Sequence, residues 1–125
     1  MKMSAIGWTD YSGGDCNFVT GCTPVSAGCA NCYAAAIYRR FDKPFDRVQT
    51  HPEKLERLAR ARFPKWSPKR GPKYRPMAFV VDTGDLFHED VSGAFVGKAL
   101  GTMAERSDVT WQILTKRPER MRRVC

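Results

Sequence analysis

The sequence predicts an α/β fold in which parallel strands alternate with helices. The uninterrupted apolar run Met77–Val81 is typical of a strand buried on both faces of a parallel sheet. A second strand-forming run, Val109–Thr115, follows it after a helical pattern between Ser92 and Arg106. Two strands separated by a helix need a crossover connection, which makes them parallel.

The N-terminal third reads as a loop followed by a helix. Residues 1–30 are rich in Gly, Ser, Thr and Asp, which predicts an ordered loop with a short strand near Phe18-Val19. From Asn31 to about Phe41, strong helix formers end in two arginines, as the last turn of a helix prefers.

A second helix has a recognisable start. Thr50 and Glu53 form a capping-box pattern, in which the Thr50 hydroxyl accepts from the Glu53 amide and the carboxylate reaches back. Apolar residues recur behind it at helical spacing: Leu55, Leu58, Ala59 and Phe63. Pro64 ends this helix. Residues 64–76 then hold four prolines, one glycine and five cations, so we expect a loop.

The third predicted helix spans Ser92 to about Arg106, and a fourth starts near Pro118. The third carries an apolar stripe of Phe95, Val96, Ala99, Leu100 and Met103. We expect residues 1–125 to form one domain with three parts: a Cys-rich metal-binding loop (1–33), a basic helix and Pro-rich loop (39–76), and a βαβα unit (77–125).

Length and hydropathy bound the class of protein. The 125 residues are 42% hydrophobic, enough for one domain with a modest core. No apolar run approaches the roughly 20 residues of a membrane-spanning helix, and the first residues lack the apolar stretch of a signal peptide. We therefore expect a cytoplasmic protein that does not bind a membrane.

Positive charge is concentrated in one segment. Between Arg39 and Arg75 there are thirteen basic and four acidic residues, a net charge of +9 in a chain whose total is +8. A localised basic segment indicates a polyanionic partner such as nucleic acid, or else a solvated, salt-bridged surface. The candidate nucleic-acid contacts are Arg39, Arg40, Lys65, Trp66, Lys69, Arg70 and Lys73.

Three of the five cysteines form the clearest chemical pattern. Cys22, Cys29 and Cys32 fall within eleven residues, separated by six and then two residues. Three thiolates at such spacing can hold an iron–sulfur cluster or a zinc ion. A cluster with three protein ligands leaves one iron open, whereas a structural zinc needs a fourth ligand. The remaining sulfur and imidazole donors are Cys16, His51, His88 and Cys125, and none lies at a standard zinc-finger spacing.

Several blocks, in order, resemble those of a phage-encoded three-cysteine family, sometimes named after gene products thirty-seven and sixty-eight, which is distantly similar to radical S-adenosylmethionine enzymes. The blocks are Gly7–Asp10, Val19–Cys22, Gly28–Ala34, Gly84–Val91 and Leu114–Met121. The resemblance covers nearly the whole chain. It implies a protein of the host cell cytoplasm if the chain is phage-encoded.

The resemblance implies a cofactor site. Cys22, Cys29 and Cys32 would ligate a four-iron four-sulfur cluster, with zinc as the alternative metal. The open iron would chelate S-adenosylmethionine, whose reductive cleavage yields a 5′-deoxyadenosyl radical. Gly84 and Asp85, after one strand, would contact the methionine amino group, and Thr115 and Lys116, after the next, would line the same mouth.

The resemblance also implies a partial, truncated parallel β/α barrel of the radical S-adenosylmethionine type. A complete eight-unit barrel needs ~250 residues, about twice this chain. We therefore expect a second chain or segment to complete the barrel.

Three functions follow as hypotheses. The first is an iron–sulfur, radical S-adenosylmethionine-like protein acting on a nucleic acid or nucleotide. The second is a non-enzymatic, metal-stabilised module that binds nucleic acid or a host protein. The third is an inactive fragment.

Overall fold

A computed structural model of the chain describes residues 3–21 and 47–124. The strands are β1 (Tyr11–Ser12), β2 (Val19–Thr20), β3 (Gln49–Thr50), β4 (Met77–Phe79) and β5 (Thr110–Gln112). The helices are α1 (Pro52–Arg60), α2 (Gly93–Glu105) and α3 (Pro118–Val124), with a 3-10 turn at Gly14–Cys16. The helix expected at 31–41 lies outside the described residues, and so do the candidate residues Cys22, Cys29, Cys32, Arg39 and Arg40.

The predicted parallel arrangement is confirmed. β4 lies between β1 and β5 in a three-stranded sheet, and both neighbours run parallel to it. Ala78 pairs with Tyr11 on one side and with Trp111 on the other. β2 and β3 form a separate antiparallel pair. The fold is mixed α/β, and residues 3–21 and 47–124 form no closed barrel.

The two faces of the sheet differ. Ala78 and Val80 point into the hydrophobic core, together with Leu55 and Leu58 of α1 and Val96 and Ala99 of α2. Because side chains alternate along a strand, Met77 and Phe79 point to the opposite face. They are also buried, at 6% and 3% exposed, yet they lie outside the main core cluster. The helices therefore cover one face, and loops cover the other.

The capping box predicted at Thr50 is wrong. α1 begins at Pro52, its N-cap residue is His51, and no side chain caps it. Thr50 belongs to β3, where it pairs with Val19. His51 Nε2 lies 2.9 Å from Thr20 Oγ1. Pro52 suits the first helical turn because it has no amide hydrogen to leave unsatisfied. Pairing with a strand distant in sequence thus displaced a local capping pattern.

The later helices follow the sequence closely. The Ser92 hydroxyl accepts from the Phe95 amide at 3.1 Å and caps α2. Val96, Ala99 and Met103 are its buried stripe, as the helical spacing predicts. α3 begins at Pro118, also as predicted. None of the helices in the described part of the chain is long and apolar enough to cross a membrane.

The strands depart from the prediction in extent and number. β4 and β5 have three residues each, whereas the apolar runs suggested five and seven. β1 was not predicted, because its neighbourhood is composed mostly of turn-forming residues. Tyr11–Ser12 is a strand because β4 presents an edge to which two residues can pair. The short strand expected near Phe18-Val19 is present as β2, one residue later.

A buried carboxylate attaches the Pro-rich loop 64–76 to the sheet. Asp10 is fully buried, and its Oδ2 accepts a 2.8 Å hydrogen bond from the Met77 amide. The Ser67 hydroxyl donates to the same carboxylate, 2.7 Å from Oδ2, and the Lys69 amide donates to Oδ1 at 3.1 Å. A carboxylate without such donors would be very costly to bury. Asp10 thereby joins the N-terminal segment, the loop and β4.

Candidate functional site at the carboxyl ends of the parallel strands

The chain leaves β4 in a strained conformation. Val81 has φ 56°, in the left-handed region that a β-branched residue rarely adopts. Its amide donates to the Cys16 carbonyl at 2.9 Å, so the surrounding fold holds it there. Residues in such conformations cluster at functional sites. The segment 82–85 follows directly, at the carboxyl end of the sheet.

Asp85 is the centre of this end of the sheet. Its carboxylate is 4% exposed and accepts four hydrogen bonds. Oδ1 accepts from the Thr115 hydroxyl at 2.7 Å and the Phe87 amide at 3.0 Å. Oδ2 accepts from the Lys116 amide at 3.0 Å and Arg117 Nη1 at 3.3 Å. The segments after β4 and β5, which the sequence predicted to meet, are thus joined through one carboxylate.

The hydrogen bonds of Asp85 limit how it could contact the predicted cofactor. Four donors fill the lone-pair sites that a carboxylate offers. A direct contact between Asp85 and a ligand ammonium therefore requires one of these donors to be exchanged. Thr115 is already paired with Asp85, and Lys116 is exposed.

Arg117 extends the network to the surface. Its side chain is 5% exposed and bridges Asp85 to Glu89, with Nε 3.1 Å from Glu89 Oε1. The pKa of Glu89 lies below its usual value, first because of a backbone hydrogen bond and then because of Arg117. A buried guanidinium needs such partners, since an unpaired buried charge is strongly destabilising. Arg117 was not predicted as a site residue; its position directly after Thr115-Lys116 was the available signal.

Arg120 of α3 binds the backbone of the segment that follows Asp85 in the sequence. Its guanidinium donates to the carbonyls of His88 and Val91, the latter at 2.6 Å. His88 is 2% exposed, and its Nδ1 accepts from the Asp90 amide at 3.0 Å. His88 is therefore part of a packed turn. An open cleft beside it is lined mainly by charged side chains of 116–123, including Lys116 and Arg123.

A close backbone approach brings the start of the cysteine segment to this edge. Gly21 and Gly84 form a parallel bridge, and the Gly21 amide donates to the Thr83 carbonyl at 3.0 Å. A Cβ atom on Gly84 would lie 3.0 Å from the Val19 carbonyl oxygen and 3.1 Å from that of Gly21. A side chain at this position would crowd two backbone carbonyl groups, which favours glycine. Cys22 is the next residue in the sequence after Gly21.

The hydroxyl of Thr83 lies at this edge of the sheet. The Thr83 hydroxyl oxygen is buried and makes no hydrogen bond within the described structure. It belongs to the same segment as Gly84, next to the contact with Gly21. Leaving a buried hydroxyl unsatisfied costs about 1–3 kcal/mol. A ligand at this edge of the sheet would find a hydrogen-bonding group in the Thr83 hydroxyl.

The predicted metal ligands Cys22, Cys29 and Cys32 lie outside the described residues. Within 3–21 and 47–124, no three His, Cys, Asp or Glu side chains gather in a way that suits a metal ion. Cys16 is fully buried, and burial raises the pKa of its thiol to about 12, with Asp82 and Asp15 adding to the effect. A thiol so resistant to ionisation is a poor metal ligand, because metals bind the thiolate.

The loop 64–76 presents its predicted nucleic-acid contacts at the surface. Lys65 and Lys73 are exposed, and Trp66 is 47% exposed. Arg70 stacks over the Tyr74 ring, with its guanidinium carbon 4.2 Å from the ring centroid. Lys69 differs from the others, because its ammonium donates to the carbonyls of Ser4 and Ile6 at 2.8 and 2.7 Å.

Comparison with known proteins yields one match. The model of a family described as "Protein of unknown function (DUF5131)" matches residues 3–125. No curated protein and no solved structure matches the chain.

Proposed function

The chain belongs to the family described as Protein of unknown function (DUF5131), and within that family we propose that it is an iron–sulfur, radical S-adenosylmethionine-like phage protein that acts on a nucleic acid or nucleotide. The observation that carries the proposal is the bridge between Gly21 and Gly84. It brings the chain that leads into Cys22, Cys29 and Cys32 to the carboxyl ends of β4 and β5. Ligands of parallel α/β folds bind at that edge.

The residues of this edge suit such a cofactor. Three thiolates with no fourth donor at a standard zinc-finger spacing match a cluster that keeps one iron open better than they match a closed zinc site. Gly84 admits the backbone of Gly21, which leads into Cys22, and the Thr83 hydroxyl beside it is buried with no partner among the described residues. Such a cluster would supply an open iron to chelate S-adenosylmethionine and, after reduction by an external one-electron donor, the electron to cleave its sulfonium bond.

The described residues would orient such a cofactor. Thr83 offers a hydroxyl to its amino-acid part, and Lys116 offers a cation to its carboxylate. Asp85 is a positioning residue, because its carboxylate holds the Thr115 hydroxyl and the Lys116 backbone in place. Arg117 gives the buried Asp85 carboxylate a charged partner, with Nη1 3.3 Å from Oδ2. We propose that the sheet continues into a parallel β/α barrel of the radical S-adenosylmethionine type, completed by further chain.

The experiment is iron and acid-labile sulfide analysis, with an absorption spectrum, on full-length protein purified without oxygen. We expect about four irons and four sulfides per chain, as for a cubane cluster. The Cys22→Ala/Cys29→Ala/Cys32→Ala variant should lose both. Cys16→Ala is the matched control and should retain both, because the buried Cys16 thiol stays protonated. Formation of 5′-deoxyadenosine from S-adenosylmethionine under reducing conditions then tests the reaction.

The alternative is a metal-stabilised module that binds nucleic acid without catalysis. The attachment of the basic loop to Asp10 favours it, because a binding surface gains from being held in one conformation. One zinc per chain, lost in the triple variant, would support this alternative and contradict the cluster. A folded protein with neither metal would contradict both.

A further inference from the structure

The face of the sheet opposite the helices has an aromatic and cationic surface that the cofactor site does not use. Trp8 packs over Phe79 with ring centroids 4.9 Å apart, yet it remains 50% exposed. Tyr74 is 46% exposed and carries the Arg70 guanidinium on its ring. We name the set Trp8, Trp66, Arg70 and Tyr74 the aromatic platform.

Contacts with Met77 of β4 and Gln112 of β5 link Trp8, Arg70 and Tyr74. Arg70 Nη1 lies 3.6 Å from Met77 Sδ, on the same face of β4 as Phe79. Gln112 Nε2, from β5, lies 3.9 Å from that sulfur and donates to the Trp8 carbonyl at 3.3 Å. Tyr74 thus connects through Arg70 and Met77 to the Trp8 segment. Trp66 stands next to Ser67, whose amide donates to the Tyr74 carbonyl at 2.8 Å.

The platform is held in place before any partner binds. Asp10 fixes Ser67 and the Lys69 amide, and the Lys69 ammonium fastens the loop to Ser4 and Ile6. Ser67 itself is fully buried. Aromatic rings presented in a fixed arrangement can bind without a large ordering cost.

The loop that carries most of the platform is strongly basic. The segment 64–76 has five cations and no acidic residue. The cations Lys65, Lys73 and Arg75 are exposed, and each is next in sequence to Trp66 or Tyr74. Half-exposed aromatic rings interleaved with cations are the combination that binds single-stranded nucleic acid, because bases stack on rings while phosphates meet the cations. In duplex DNA or RNA the base faces are already stacked and are not available to the rings.

We infer that the aromatic platform binds single-stranded nucleic acid, with bases stacked on Trp8 and on the exposed rings of the loop 64–76. The inference rests on the nucleic-acid part of the proposed function and makes that part more specific. It does not depend on the cofactor part, since the platform needs neither metal nor S-adenosylmethionine. It predicts that the strand crosses the sheet face opposite the helices.

The test is fluorescence anisotropy of labelled oligonucleotides of about 12 nucleotides, single-stranded and duplex, DNA and RNA, over a range of salt. We expect full-length protein to bind a single strand at least about tenfold more tightly than the duplex. Tyr74→Ala and Trp66→Ala should each weaken single-strand binding on the order of tenfold. Trp8→Phe, which keeps a ring on Phe79, should bind nearly as well as the parent, whereas Trp8→Ala should not.

Charge is tested separately. Lys65→Ala/Lys73→Ala should reduce the salt dependence of log K by about 0.7 per lost phosphate contact. Lys98→Ala is the matched control, since Lys98 is an exposed cation of α2 outside the platform, and its slope should not change. The circular dichroism spectrum of each variant establishes that it is folded.

Three results would overturn the inference. They are no binding of a single strand, equal or tighter binding of the duplex, and single-strand binding that is unaffected by Trp66→Ala and Tyr74→Ala in folded protein. The Cys22→Ala/Cys29→Ala/Cys32→Ala variant separates this outcome from that of the proposed function. We expect it to retain single-strand binding even though it loses iron. A protein that holds four irons and binds no strand would keep the cofactor proposal and contradict the platform.

Discussion

At the scale of single residues, two carboxylates and one glycine organise the described structure. Asp10 accepts from Ser67 and from two backbone amides, and Asp85 accepts from four donors. Gly84 permits the approach of Gly21. Each of these residues holds together segments that are far apart in sequence, so each should be sensitive to conservative substitution.

Gly84→Ala should destabilise the protein by about 1–3 kcal/mol. The added methyl group would meet two backbone carbonyl oxygens, at 3.0 and 3.1 Å, and backbone atoms cannot turn aside as a flexible side chain can. Urea unfolding measures the change. Gly101→Ala is the matched control: Gly101 lies in α2 with nothing within 4 Å of a Cβ, so alanine should stabilise the helix by up to about 1 kcal/mol. Equal effects at both positions would contradict the close approach.

At the scale of elements, the loop 64–76 behaves as a part of the sheet and not as a simple connection. Its composition indicated a loop, and it is one. The loop is held in one conformation by hydrogen bonds to Asp10. This residue lies just before β1 and is 57 residues from Ser67 in the sequence. The loop continues directly into β4, so the hydrogen bond from the Met77 amide to Asp10 holds the start of that strand as well.

Asp10→Ala should expose the loop to proteolysis. The substitution leaves the buried Met77 amide without its acceptor, at a cost of about 1–3 kcal/mol, and frees Ser67. We expect faster tryptic cleavage after Lys65, Lys69 and Arg70, measured by mass spectrometry of timed digests, because cleavage follows the population of the open segment.

The control for this digest is Asp108→Ala, which removes an exposed carboxylate paired with Arg106. An exposed pair contributes little to stability, so cleavage within 64–76 should not change. Equal cleavage rates in parent and Asp10→Ala would show that Asp10 does not hold the loop.

At the scale of the whole molecule, the sheet separates three regions. The helices and the core lie on one face, the aromatic platform lies on the other, and the residues around Asp85 lie at the carboxyl ends of the strands. A substrate strand on the platform would run beside a cofactor at the strand ends, which is the arrangement that the two proposals together require.

The pH dependence of the stability of the whole fold provides a further prediction. Burial raises the pKa of Cys16 from 9.0 to about 12, so the unfolded chain loses this proton first as the pH rises. The stability contributed by the protonated thiol is complete below pH 9.0 and is lost towards pH 12. Its slope is about 1.4 kcal/mol per pH unit.

Urea unfolding at increasing pH, for the parent and for Cys16→Ala, measures this slope. The parent should lose stability more steeply above pH 9.0. Other groups such as Tyr11, whose pKa is also raised by burial, titrate in both proteins and cancel in the difference. Parallel curves would contradict the burial of an un-ionised thiol.

The sequence by itself determined the elements whose signals are local or periodic. The apolar run of β4, the spacing of Val96, Ala99 and Met103, and Pro118 at the start of α3 predicted the parallel strands and two helices. It also determined the candidate chemistry, since the cysteine pattern and the residues after each strand can be read without a structure. That the segments of Asp85 and Thr115 meet was implied by the family resemblance, and the two side chains are hydrogen-bonded.

Only the tertiary structure decided how the charged and polar groups are paired. Asp10 and Ser67 are 57 residues apart in sequence, and Asp85 and Arg117 are 32 apart. No local sequence pattern identifies these partners. For the same reason β1 and the true start of α1 were missed, because each depends on pairing with a distant strand. Periodicity records which side of an element is buried, whereas the partner of a buried charge depends on which distant segments the fold brings together.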